Sequence, residues 1–241
     1  MNDKILLPGS EKQLILTLQK LSLEKPRILV IGSFSENAAK ALSEKYNTDV
    51  NLIVEDTDSL MNANLIVGSS GNIKTGLMSY EVTDFKNSEF DLIYAQASIS
   101  GFNRNKIVKE IKRILKPGGY LSVGEITRLA AEIPSFVQNA FKSSNLDPLF
   151  IQEISHYYTE RNFKLVESAD LTSTLKEYYT ASAQKLTDAL SALTENEKKY
   201  YKKLLNKISH ETNIYLKLGG DKFIGFTHLL LQKGENWTKV N

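Results

Sequence analysis

The sequence contains no cysteine. Disulfides, thiolate metal sites and cysteine nucleophiles are therefore excluded, and the composition suits a reducing, cytoplasmic setting. Histidine is nearly absent too. His156, His210 and His228 stand far apart without metal-ligand spacing, so no metal is expected and structural or surface roles are. No apolar run approaches the roughly 20 residues of a membrane-spanning helix. The opening residues 1–13 lack the apolar core of a signal peptide. Net charge is only +2, with lysines interleaved among acidic residues. The densest basic run, Lys198, Lys199, Lys202 and Lys203, shares its predicted helix with Glu195 and Glu197. That is the pattern of a solvated helix face, and no nucleic-acid partner is expected.

What is present is a chain of 241 residues, 41% hydrophobic and 24% charged, enough to bury a substantial core as one domain over 1–241. Its most regular stretch is Phe90–Glu125. Asp91–Ala95 is a short apolar run suited to a buried strand. In Asn105–Leu115 the residues Ile107, Val108, Ile111, Ile114 and Leu115 share one helix face. Pro117-Gly118-Gly119 stops that helix and Tyr120–Val123 begins the next strand. A strand, an amphipathic helix and a strand imply a parallel βαβ unit.

The rest of the chain extends this pattern. Ser10 is placed to cap a helix over Glu11–Leu23 with Leu14, Ile15, Leu18 and Leu21 inward. Arg27–Ile31 reads as a buried first strand, Glu36–Tyr46 as a helix, and Asp49–Val54 as a second strand ending at Glu55-Asp56. A short helix near Ser59–Ile66 precedes a third strand near Leu77–Val82. After Glu125, helices are predicted over Pro134–Lys142 and Pro148–Thr159, then a strand over Phe163–Glu167. Residues from about 172 to 218 are helical, broken near Leu193-Thr194-Glu195, and form a cap before the last strand, Lys222–Gln232. The expected class is α/β, a Rossmann-like doubly wound sheet of seven strands.

This order, together with Phe90-Asp91-Leu92-Ile93, Glu110, Arg113 and Leu115-Lys116-Pro117-Gly118-Gly119, resembles a class I S-adenosylmethionine-dependent methyltransferase of the small-molecule branch. The resemblance runs from Glu11 to Lys233 and is strengthened by Asn162-Phe163, Asp170-Leu171-Thr172 and Gly225-Phe226. It implies the methyltransferase fold, S-adenosylmethionine as cofactor and a small-molecule substrate. The cofactor belongs at the C-terminal ends of the first, second and fourth strands, where strand order reverses. The positions implied there are Gly32 and Ser33 after the first strand, Glu55 with Asp56 as a one-residue alternative after the second, Ser79 and Gln96. For the acidic pair the competing reading is a plain turn before a helix cap. Glu125, Tyr178 and Tyr179 are the candidate substrate-pocket residues, though Glu125 could equally cap a helix and the tyrosines could be core. No catalytic residue is assigned.

One motif departs from the family. Where the first strand would end in an acid followed by a glycine-rich turn, the chain has Val30, and Phe34 and Glu36 occupy two glycine positions. Only Gly32 matches. Two functions follow: a small-molecule methyltransferase, or a methyltransferase-fold protein that has lost its cofactor and serves as a binding or partner subunit. A homo- or hetero-oligomer is compatible with either. The missing G-x-G-x-x-G after the first strand argues against a third reading, a nicotinamide-dependent enzyme.

Overall fold

The computed structural model describes residues 5–68 and 71–234. Its strands are β1 (Ile28–Ile31), β2 (Val50–Val54), β3 (Ile73–Leu77), β4 (Phe90–Gln96), β5 (Leu115–Arg128), β6 (Leu149–Phe150), β7 (Phe163–Asp170) and β8 (Ile224–Lys233). The helices are α1 (Ser10–Lys20), α2 (Glu36–Tyr46), α3 (Thr57–Val67), α4 (Arg104–Ile114), α5 (Ser135–Ser143), α6 (Ile154–Thr159), α7 (Leu175–Ala192), α8 (Glu195–Tyr200) and α9 (Lys202–Lys217). The sheet order is β3-β2-β1-β4-β5-β8-β7, with the two-residue β6 added beside β5. The first five strands pair in parallel, whereas β8 runs antiparallel to both β5 and β7. Strand order reverses between β1 and β4, and this opens a crevice at their C-terminal ends.

Each face of the sheet is covered because the central strands are apolar on both sides. All four residues of β1 are buried, as expected of a strand covered above and below. One layer packs Ile107, Val108, Ile111 and Ile114 of α4 with Ile154 and Tyr158 of α6 onto Leu29, Ile31, Ile93 and Leu121. The other packs α1, α2 and α3 onto Ile28, Val30, Leu52 and Tyr94. A third cluster joins Val137 of α5, Leu175 and Tyr179 of α7, and Ile214 and Tyr215 of α9 to Ile126 and Phe226. The cap thus sits on the C-terminal part of β5 and the start of β8, beside the crevice.

Several elements differ from the sequence expectation. The third strand lies at Ile73–Leu77, and the 77–82 segment instead makes a tight turn closed by a Ser79–Val82 bridge. Polar Lys74 and Thr75 are tolerated there because β3 is the sheet edge and need not be apolar on both faces. Pro117-Gly118-Gly119 does not end the helix. It lies inside β5, where the pairing with β4 shifts register between Phe90 and Leu92. The 148–159 segment divides into β6 and α6.

In α1 the cap is Gly9, in a left-handed conformation at φ 90°, and Ser10 makes no side-chain cap. Its buried stripe is Gln13, Leu14 and Thr17, leaving Ile15 exposed. The reason is polar: Thr17 Oγ1 and Ser122 Oγ are 2.7 Å apart, and Gln13 Nε2 donates to Ala95 O at 3.1 Å. Helical periodicity of apolar residues could not reveal an inward polar stripe. The cap break is at Leu193 and Thr194, and Thr194 starts α8 with a capping box to Glu197.

The α1 contact needs a glycine beneath it. A Cβ on Gly124 would lie 2.0 Å from Gln13 Oε1 and 2.5 Å from Phe226 Cζ. Gly124→Ala should therefore cost about 1–3 kcal/mol, read as a lower urea midpoint at unchanged slope. A midpoint equal to wild type would show that α1 and Phe226 move aside freely.

Candidate active site

The loop from β1 to α2 forms the floor of the crevice. Gly32 has φ 133° and donates its N–H to Ile53 O at 3.1 Å. A Cβ there would stand 2.8 Å from Ser98 Cβ and 3.4 Å from Ser35 Oγ. Ser98 Oγ in turn donates to Ile31 O at 2.7 Å. Gly32 is thus required by the close approach of the β4–α4 loop, independently of any ligand. Phe34 has φ 62°, the left-handed region where an aromatic residue is strained by about 1–2 kcal/mol. This is a backbone conformation that favours glycine. The Phe34 side chain is 65% exposed and stands at the wall of the neighbouring cap cavity.

The end of β2 separates the two acidic candidates. Asp56 is the N-cap of α3: its Oδ1 accepts from Ser59 N at 2.8 Å and its Oδ2 from Ser59 Oγ at 2.7 Å. Ser33 Oγ donates to Ser59 Oγ at 2.8 Å, so Ser33 and Asp56 belong to one hydroxyl chain. Glu55 is exposed, and its Oε1 accepts from Tyr80 N at 2.9 Å. Tyr80 is buried, and burial followed by the nearby Glu55 and Asp56 charges pushes its hydroxyl pKa upward. Ser79 beside it is exposed, and its Oγ accepts from Glu81 N at 3.3 Å. Within this turn it is Tyr80, not Ser79, that points inward. Tyr80 was missed because nothing in an aromatic's sequence neighbours tells which side of a turn it takes.

Gln96 and Glu125 are both engaged elsewhere. Gln96 Nε2 donates to Pro8 O at 2.8 Å and to Ser10 O at 2.9 Å, and its Oε1 accepts from Tyr94 Oη at 2.6 Å. It ties the N-terminal segment across the end of β4. Glu125, expected to face a pocket or to cap a helix, does neither. It is fully buried, with Oε2 accepting from Arg104 Nε at 2.6 Å and Oε1 from the Tyr158 hydroxyl. Burial raises its pKa, opposed by the Arg104 charge and by hydrogen bonds from Tyr158, Arg104 and Ser100. Arg104, at the start of α4, carried no signal in the sequence that would pair it with Glu125.

Tyr178 and Tyr179 do meet a cavity. A space of about 590 Å³ lies between α7 and α9, lined by Phe34, Tyr178, Tyr179, Leu186, Leu205 and Glu211 among others. Tyr179 stacks on Tyr215 with ring centroids 4.3 Å apart and an interplanar angle of 22°. Both tyrosine pKa values are raised by burial first, with the Glu211 carboxylate also contributing. Leu6 and Leu7 complete the wall from the N-terminal segment. The lining is mostly apolar with a few polar groups, the usual character of a small-molecule site.

Comparison with known proteins bears on this architecture. A family model described as a methyltransferase domain matches residues 29–123, from β1 into β5. Among solved structures, the phosphoethanolamine N-methyltransferase 2 of Haemonchus contortus, bound to phosphomonomethylethanolamine and S-adenosylhomocysteine, superposes with a TM-score of 0.76. Identity is 13%, covering 95% of this chain and 54% of that one. The chain has the class I methyltransferase fold. The same fold recurs in the geranyl diphosphate C-methyltransferase of Streptomyces coelicolor A3(2), solved with Mg²⁺, geranyl diphosphate and S-adenosylhomocysteine. There the TM-score is 0.68 at 11% identity, covering 92% of this chain and 76% of that one. The [4+2]-cyclase SpnF also shares it, with a TM-score of 0.75, 16% identity, and coverage of 93% and 81%. No curated protein matches the sequence. At these identities the likeness fixes the methyltransferase fold, while chemistry has to be argued from the site.

Among the described residues, no group of three or more His, Asp or Glu is arranged to hold a metal ion, and no helix is long and apolar enough to cross a membrane. His228 is buried in the sheet, whereas His156 and His210 are exposed. Lys198 pairs with Glu195 at 2.9 Å on α8, a helix without a buried residue.

The residues of the crevice suit S-adenosylmethionine on one structural test. Two buried polar atoms of the floor have no partner, Ser35 Oγ and Glu36 Oε1. A ligand ending in an ammonium and a carboxylate would satisfy both. Glu55 is exposed just after β2.

Proposed function

We propose that this chain, as one functional unit over 1–241 with its cap, is an S-adenosylmethionine-dependent methyltransferase acting on a small molecule held in the cavity beneath the cap. The observation that carries the reading is the position of Phe34. Its left-handed backbone takes the ring to the cavity wall, so the β1–α2 loop borders the crevice on one side and the cavity on the other. When bound, the cofactor supplies an electrophilic methyl group on a sulfonium, and the protein then contributes proximity and orientation more than acid–base chemistry.

In this reading Gly32 and Ser33, whose N–H and hydroxyl are donated to Ile53 O and Ser59 Oγ, shape the loop against the amino-acid end, and Glu55 accepts from the ribose. Asp56 and Ser79 contribute only by shaping the loops around Glu55. Gln96 holds the N-terminal segment in place. Tyr178 and Tyr179 line the apolar wall that excludes water from the acceptor atom. The apolar lining, with Glu211 as an acidic group, favours a substrate with a largely apolar body.

The test is calorimetry with S-adenosylmethionine. Saturable binding is expected, weakened about 10–100-fold by Glu55→Ala, the effect of losing hydrogen bonds to a charged group. No heat at millimolar cofactor would end the reading.

Two observations favour the second reading, a fold that has lost its cofactor: Ser98 closes over Gly32, and Gln96 has its hydrogen-bonding groups used internally. Phe34→Gly separates the two. It relieves the left-handed strain without altering the loop path. Binding unchanged in the variant supports Phe34 as cavity wall, whereas binding that appears only in the variant marks the native ring as a plug.

A further inference from the structure

We propose that Glu36 is the crevice group that receives a primary ammonium, the α-ammonium of S-adenosylmethionine, in place of the acidic side chain missing at Val30. The inference rests on the cofactor reading above and assigns to it a residue that the sequence marked only as a lost glycine.

The case starts from burial. Glu36 is 2% exposed, yet its Oε1 has no partner, and the neighbouring Ser35 is 0% exposed with its Oγ equally unpartnered. Buried polar atoms are almost always satisfied, so two adjacent orphans on one loop call for a ligand. Both lie on the loop at Gly32, where a Cβ would stand 3.4 Å from Ser35 Oγ and 2.8 Å from Ser98 Cβ, so a ligand reaching them has to displace or pass beside Ser98.

Charge decides what the ligand must be. The Glu36 carboxyl is held near the backbone N–H groups of Phe34 and of Glu36 itself, which lower its pKa, and Lys40 one turn along α2 acts in the same direction. Burial outweighs them and raises it. Its remaining oxygen lacks a donor, and an anionic ligand at that oxygen would be repelled. A cation with N–H donors answers both needs, while the Ser35 hydroxyl can donate to an adjacent carboxylate. An ammonium and a carboxylate on one carbon is an α-amino acid terminus. The acid of the crevice has moved from the last turn of β1 to the first residue of α2.

The experiment compares two nucleosides on the whole protein. S-adenosylhomocysteine carries the amino-acid terminus and 5′-methylthioadenosine lacks it. Wild type is expected to bind the former at least tenfold more tightly by calorimetry. Glu36→Gln, close to isosteric, should weaken S-adenosylhomocysteine about 10–100-fold and leave 5′-methylthioadenosine unchanged. Ser35→Ala, which keeps the carboxyl, should weaken the first several-fold and spare the second, and serves if the glutamine variant does not fold.

If wild type prefers S-adenosylhomocysteine but Glu36→Gln alters neither ligand or both equally, Glu36 is not the ammonium group and the cofactor reading stands. Equal wild-type affinity for the two has the same meaning. Failure of wild type to bind either nucleoside overturns the cofactor reading and this one together.

Discussion

Arg104→Ala should lose about 3–5 kcal/mol of stability, the size expected when one partner of a buried ion pair is removed. The side chains of Arg104 and Glu125 are 5% and 0% exposed, and Nε and Oε2 are 2.6 Å apart. Arg104 also donates from Nη2 to Asp147 O at 2.5 Å, while Tyr158 donates to the other oxygen of Glu125. The alanine variant leaves a buried carboxylate with a hydroxyl partner but no counter-charge. Against a typical total of about 5–15 kcal/mol, that is a large fraction of the fold's stability. Urea unfolding would measure it. Replacing both partners, as Arg104→Met with Glu125→Leu, should recover only part of the loss: desolvation of the pair offsets much of its attraction, but the buried Tyr158 hydroxyl is left without its acceptor. A single-variant loss under about 1 kcal/mol would show that water reaches the pair, as at exposed bridges. The consequence extends to the crevice. Ser100 Oγ accepts from Ile126 N at 3.0 Å and Asp147 N donates to Ser100 O at 2.9 Å. The network therefore fixes the β4–α4 loop that carries Ser98 over Gly32.

Stability should also fall on the acid side because of His228. It is fully buried in β8, its Nε2 is 3.1 Å from Ser122 Oγ, its Nδ1 has no partner, and burial lowers its pKa to about 4. The unfolded chain has an ordinary histidine pKa of about 6.5. Between these values the unfolded state binds the extra proton and the native state does not. Stability is thus fully present above about pH 6.5 and declines as pH falls, by about 3 kcal/mol once pH is below 4. Glu36 and Glu125, whose pKa values are raised by burial, act in the opposite sense. The decisive quantity is therefore the difference between wild type and His228→Leu. The variant should lack the histidine's share of the decline across that window, and identical pH profiles would mean that His228 is protonated or solvated in the native state. Ser122 retains Thr17 as a partner in the variant, so no new orphan group is made.

The alternation of apolar runs and amphipathic helices made the parallel core legible. β1, α2, β2, β4 and α4 lie within one residue of the ends read from the sequence, because strands buried on both faces must be apolar throughout. The edge strand β3 escaped that reading: half its surroundings are solvent, so its composition is unconstrained. The cap was visible as helices but not as a cavity, since its shape depends on how α7 and α9 diverge.

By itself the sequence determined the doubly wound sheet and the place of the closing strand after a run of helices; that this strand runs antiparallel came from the structure. Only tertiary structure decided what each polar residue does. Glu55 and Asp56 are neighbours in sequence, yet one faces solvent and the other caps a helix. Gln96 ends β4 and Glu125 lies within the C-terminal part of β5, yet one ties down the N-terminal segment and the other meets Arg104 in the interior. Glu36, which reads in sequence as a damaged glycine position, folds into burial with an unpaired oxygen. The reason is common to all of them. Burial pattern follows from composition along one element, whereas Glu55, Glu125 and Gln96 take their roles from partners 25, 21 and 88 residues away that meet them only in three dimensions.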